Sequence, residues 1–105
     1  MYSIEITEPA ENDIKDAMKY IAEQLLNPLA ADKLINDVEY AINSLSDMPQ
    51  RHALLSDGDL ARLGFRFMPV NNYLVFYSVR DEKNTVVIQR FLYGRRDWAN
   101  ILKCD

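Results

Sequence analysis

The chain opens on a strict alternation: Tyr2, Ile4 and Ile6 are separated by Ser3 and Glu5, the period of two expected of a half-buried strand. Thr7-Glu8-Pro9 then supplies a capping hydroxyl, early negative charge and a proline that a first helical turn accepts. From there the period changes. Ile14, Ala17, Met18, Ile21 and Leu25 recur at helical spacing, with Asp13, Lys15, Asp16 and Lys19 expected on the opposite side. Asn27-Pro28 interrupts the pattern, and Leu34, Val38, Ala41, Ile42 and Leu45 mark a second helix closed by Met48-Pro49. So short a break predicts an antiparallel helical hairpin.

Residues 50–63 mix charge with Asp57-Gly58-Asp59 and read as a loop with one short turn. Three strand-like runs follow, at about 64–70, 73–79 and 85–92. Asn71-Asn72 can take the positive φ of a tight hairpin, and Asp81 to Asn84 suits a longer polar turn. Gly94 ends the last run, and Asp97 is placed to cap a short helix carrying Trp98, Ile101 and Leu102. The expected order is β-α-α-β-β-β-α. It describes an α+β domain spanning residues 1–105, a mostly antiparallel sheet with the helical hairpin on one face.

Composition narrows the class. With 105 residues, 49% apolar and 27% charged, the chain has the make-up of a globular domain able to bury one core. No apolar run reaches the roughly 20 residues of a membrane span, and the acidic start MYSIEITEPAEND shows no secretory pattern. A single cysteine, Cys104, fits a reducing cytoplasm and reads as a bystander thiol. The net charge of −4 argues against nucleic acid until it is divided along the chain. Residues 1–50 hold ten acids and three lysines, a net of −7, while residues 51–105 hold nine Lys and Arg against six acids, a net of +3. The second half is therefore locally basic, although a solvated acidic helix pair explains the first half equally well.

The candidate chemistry lies in that basic half. Glycine occurs only at Gly58, Gly64 and Gly94, so no phosphate-cradling or dinucleotide loop is present. His52 and Cys104 form no ligand spacing; no metal and no cofactor is expected. His52 itself reads as an exposed loop histidine. Arg66, Arg90, Arg95 and Arg96 sit within or just beyond the strands, where guanidinium forks on one concavity would bind phosphate or carboxylate. The alternative is that Arg90 and Arg96 pair with Asp97, Asp81 or helix acids and hold the C-terminal segment. Alternation puts Tyr73, Val75, Tyr77 and Val79 on one face of their strand, with Leu74, Phe76 and Ser78 on the other. Most of these aromatics must be core; Tyr93, beside Gly94, is the best candidate for an exposed phenol.

The run NYLVFY, followed by VIQRFLYGRRD, resembles the RelE/ParE superfamily of bacterial toxins. The likeness extends over nearly the whole chain, through T-E-x-A-x-x-D-I, A-x-K-L and I-x-S-L-x-x-M-P to the G-R-R-D near the end. It implies a small cytoplasmic toxin of a plasmid-stabilisation type, neutralised by a cognate antitoxin. RelE-like members cut mRNA on the ribosome; ParE-like members bind DNA gyrase without cleaving anything. On the RelE-like expectation, Arg66, Arg96 and Tyr93 are catalytic in a metal-independent ribonuclease, and Arg90, Arg95, Tyr77 and His52 contact substrate or partner. The sequence departs from that pattern at Leu74, where the nucleases carry an arginine, and at Leu102, where they end in a tyrosine. The alternatives are a ParE-like gyrase inhibitor and an inactive fold that only binds antitoxin.

Overall fold

The structure is a computed structural model that describes residues 1–103; Cys104 lies outside the described residues. The first strand, β1 (Ser3–Ile6), leads into helix α1 (Glu8–Lys19), whose N-cap is Thr7: its hydroxyl accepts from the Ala10 N–H. A π-helical turn, Tyr20–Gln24, continues α1, and Leu26 at φ 51° reverses the chain. Helix α2 (Pro28–Ser44) starts on an Asn27 cap with proline in its first turn. Both caps satisfy N–H groups that a helix start leaves without partners.

Residues 50–63 are more ordered than the loop expected from the sequence. Pro49–Arg51 forms a 3-10 turn, Leu54 bridges to Arg66, and α3 (Gly58–Arg62) is a helix capped by Asp57. Its pattern is only five residues long, too short to show helical periodicity in sequence. Strands β2 (Arg66–Val70), β3 (Tyr73–Arg80) and β4 (Thr85–Tyr93) follow, and α4 (Trp98–Lys103) closes the described chain. Asn71 at φ 53° and Asn84 at φ 48° make the two reversals the sequence indicated. Lys103 pairs with Asp57 at 2.7 Å, which ties α4 to α3.

The sheet order is β1-β4-β3-β2, with β1 parallel to β4 and the other pairs antiparallel. On one face Ile14 and Ala17 of α1 and Leu34, Val38 and Ile42 of α2 bury Val75, Tyr77, Val86, Ile88 and Phe91. On the other, Leu55, Leu60 and Leu102 cover Phe76 and Leu92, with Trp98 partly buried against them. Each face of β3 therefore has its own core, the hairpin supplying the larger. Between Phe76 and Tyr77 the β3–β4 register shifts, so that Phe76 faces Arg90, Tyr77 faces Ile88, and Gln89 is the extra residue of a bulge. No helix among the described residues is long and apolar enough to cross a membrane.

One element of the helical reading changes. Asp13 does not join Lys15 and Asp16 on the solvent face; it lies against β4, with 11% of its side chain exposed. Its charge is met there by Arg90, which no local pattern reveals.

Candidate functional site

The residues singled out in the sequence fall at two ends of the sheet. At the first, Arg66 donates from Nη1 to the carbonyls of Gln50 (3.2 Å) and His52 (2.7 Å). Opposite it on β3, Tyr77 is fully buried, and its hydroxyl donates to the Pro49 carbonyl at 2.6 Å. Burial pushes the Tyr77 phenol up to about 12, against a smaller pull downward from Arg66 and Arg51. It is therefore a neutral donor in the core. His52 packs edge-on against the Tyr77 ring at 6.4 Å, with Nε2 enclosed and without a hydrogen-bond partner among the described residues. Burial first, and the Arg51 charge second, hold its imidazole below its ordinary value of 6.5. This histidine is a half-buried neutral ring rather than the exposed one expected. Arg51, which the sequence did not single out, donates to the Ser44 and Asp47 carbonyls at 3.1 and 2.7 Å and so closes the end of α2.

Arg90 belongs to neither end. Its guanidinium grips Asp13 with two bonds, Nε to Oδ2 at 2.6 Å and Nη2 to Oδ1 at 2.9 Å, and only 17% of the side chain is exposed. The alternative weighed for it, pairing with a helix acid, is the geometry observed.

At the second end, Tyr73 faces Tyr93 across β3 and β4, with ring centroids 5.7 Å apart, and stacks on Phe91 at 4.8 Å. Gly94 turns the chain there: its N–H reaches the Asn72 carbonyl at 2.9 Å, and a Cβ at this position would lie 3.3 Å from that oxygen. A side chain here would fit only if the Asn72 carbonyl gave way by a few tenths of an ångström. Tyr20, 53% exposed on the π turn, completes a three-phenol wall that the sequence did not announce. A groove of about 450 Å³ is lined by Tyr20, Ile21, Leu25, Asn72, Tyr73 and Tyr93. A second hollow of about 250 Å³ extends it past Tyr20 and Tyr93 to Asp16 and Arg96. Burial, then the neighbouring Tyr20 and Tyr93 phenols, raise the Tyr73 phenol above its ordinary value. At neutral pH Tyr73 offers a hydroxyl donor, not a phenolate base. Arg96 lines that second hollow, and Arg95 and Arg96 are both exposed and make no side-chain hydrogen bond or ion pair with the described residues.

The four arginines do not converge. Arg66 lies four residues along β2 from Val70, and Val70 faces Tyr73, which faces Tyr93. At ~3.4 Å per residue that separates Arg66 from the tyrosine end by roughly 14 Å along the sheet, in addition to the strands between. Arg96 and Tyr93 share one hollow; Arg66, Tyr77 and His52 share another region; Arg90 is held by α1.

A two-helix hairpin packs over an open four-stranded sheet in a small α+β domain, with a basic and aromatic end left exposed beside a groove. A family model, the ParE toxin of type II toxin–antitoxin systems, matches residues 4–98. The chain belongs to that toxin family. No curated protein matches it. Among solved structures, the chromosomal ParDE system of P. aeruginosa aligns at TM-score 0.71 and 18% identity, over 89% of this chain and 96% of that one. A RelBE toxin–antitoxin complex from Mycobacterium tuberculosis aligns at 0.61 and 27%, over 88% and 90%. The intact E. coli RelBE complex aligns at 0.58 and 16%, over 91% and 100%. At 16 and 18% identity the likeness is one of fold.

Proposed function

We propose that this toxin arrests growth by binding a protein target, with DNA gyrase as that target, rather than by cutting mRNA, and that a cognate antitoxin neutralises it. One observation carries the reading: three of the side chains expected to act on RNA, Arg66, Arg90 and Tyr77, make hydrogen bonds inside the fold, apart from Tyr93 and Arg96. Arg66 donates from Nη1 to the Gln50 and His52 carbonyls, Arg90 holds Asp13 with two bonds, and the Tyr77 hydroxyl donates to the Pro49 carbonyl. A nuclease needs a base and a charge-stabilising group within hydrogen-bond reach of one ribose phosphate. Here Tyr93 and Arg96 stay accessible beside a groove lined by tyrosine rings and aliphatic side chains. Aromatic and arginine side chains of that kind are the residues on which protein interfaces concentrate their energy.

An antitoxin partner is supported by the family match and by the M. tuberculosis neighbour, which is itself a toxin–antitoxin complex. The test is induction of the chain alone, followed by two readings on the same cells: RNA 5′ ends and plasmid supercoiling. Intact messages with relaxed or broken DNA support the proposal. New 5′ ends at codon positions inside translated messages sink it and return Tyr93 and Arg96 to the ribonuclease role. Soluble expression without arrest indicates a fold that only binds its antitoxin.

A further inference from the structure

The ladder between β1 and β4 stops early. Ile6 opposite Ile88 is its last pair, because Thr7 turns the chain into α1, while β4 runs on to Tyr93. The exposed edge past Ile88 still carries backbone groups that need partners. The Thr7 hydroxyl donates to the Gln89 carbonyl at 3.0 Å. The next outward group, the Phe91 N–H, donates to Asp13 Oδ2 at 3.1 Å. That same carboxylate holds Arg90 with two bonds. One aspartate on α1 thus stands where a longer β1 would have continued.

Its place in the strand is what matters. The bulge at Gln89 inserts one residue immediately before the two that Asp13 holds. A bulge is where pairing can slip, and a slip of one residue exchanges the faces of everything beyond it. Phe91 packs under the helical hairpin and Leu92 on the opposite face, so a slip would turn both to the wrong side. Tyr93 would leave the groove with them.

We propose that Asp13 is a positioning residue: by accepting from the Phe91 N–H and from Arg90 it locks the register of β4 past its bulge, and so sets Tyr93 and Arg96 beside the tyrosine groove. The reading of that end as the working surface underlies the functional half of this proposal; the register lock stands apart from it. Asparagine in the same place offers one acceptor oxygen for three donors; with that oxygen on the Arg90 guanidinium, its amide N–H groups face the Phe91 N–H.

The experiment uses the full-length chain, isotope-labelled, as wild type, Asp13→Asn, Arg90→Gln and the charge swap Asp13→Arg with Arg90→Asp. In Asp13→Asn the Phe91 amide is expected to lose protection from exchange by about tenfold or more, and the Tyr73–Tyr93 ring contact to weaken, with cooperative unfolding retained. The swap restores opposite charges but leaves Phe91 without its acceptor, so it should not rescue either signal. Arg90→Gln keeps that acceptor and should keep the Phe91 protection, which tests the idea even if Asp13→Asn does not fold. Native protection and native ring contacts in Asp13→Asn would overturn the proposal, as would full rescue by the swap or lost protection in Arg90→Gln. A Tyr93→Ala chain that arrests growth undiminished would defeat the working-surface reading alone and leave the register lock intact.

Discussion

The two ends of the sheet carry the same residue types and use them in opposite ways. At the end of β2, Arg51, Arg66 and Tyr77 turn their donors on Ser44, Asp47, Gln50, His52 and Pro49 carbonyls. At the end of β4, Tyr93, Arg95 and Arg96 face solvent. Acceptors make the difference. The last carbonyls of α2 and those of the 3-10 turn beside it have no helical partners, and a nearby guanidinium satisfies several at once. At the other end the chain reverses through Gly94 and Asn72, whose backbone groups bond to each other. Basic residues there meet no orphan carbonyls and remain available. A run of arginines in sequence is therefore not a cluster in space; each goes to whatever unsatisfied oxygen the fold brings near.

Arg90 gives the sharpest test of this contrast. Arg90→Ala leaves the Asp13 carboxylate half-satisfied in a nearly closed site and should cost about 3 kcal/mol, read as a lower urea midpoint at unchanged slope. A loss near zero would class Arg90 with Arg96 instead. Next come the buried bonds of the first end. Tyr77→Phe and Arg66→Met each strand a carbonyl and should cost about 1–3 kcal/mol, lowering growth arrest only as far as the folded fraction falls. Arrest abolished in a fully folded Arg66→Met chain would restore Arg66 to a chemical role.

Two pH effects follow with smaller amplitude. Tyr77 titrates near 12 in the fold and near 10 unfolded, so the stability it contributes is complete below pH 10 and is lost as pH rises from 10 to 12. Tyr77→Phe should flatten that loss. His52 works in the other direction. Its folded value lies below 6.5, so its contribution is complete above pH 6.5 and declines as pH falls through that value toward the lowered one. Thermal melts across pH 5 to 7 of wild type and His52→Gln measure it; superimposable curves would show that the imidazole is not confined. Smallest in stability are Arg95→Glu and Arg96→Glu, expected to shift it by no more than about 0.5 kcal/mol while weakening target binding by about tenfold or more. Arrest unchanged in both would remove the second end from the proposed surface.

Much of the fold was legible because its causes are local. Thr7 caps where a hydroxyl precedes a helical period, and Asn71 and Asn84 take the positive φ that few other residues accept. Strands β2 to β4 lie within two residues of their expected bounds. Helix α3 was missed because its one turn shows no periodicity, and the inward turn of Asp13 because its partner lies 77 residues away.

By itself, then, the sequence determined the elements, their order, the hairpin on the sheet and the kinship with a toxin family. These depend on repeats of two and 3.6 residues and on φ preferences, which act within a few positions. Only the tertiary structure decided that β1 lies beside β4, that Arg66, Arg90 and Tyr77 turn inward, and that Tyr20 joins Tyr73 and Tyr93 at one groove. Those outcomes depend on which distant donor meets which distant acceptor, a pairing set by packing and not by any spacing along the chain.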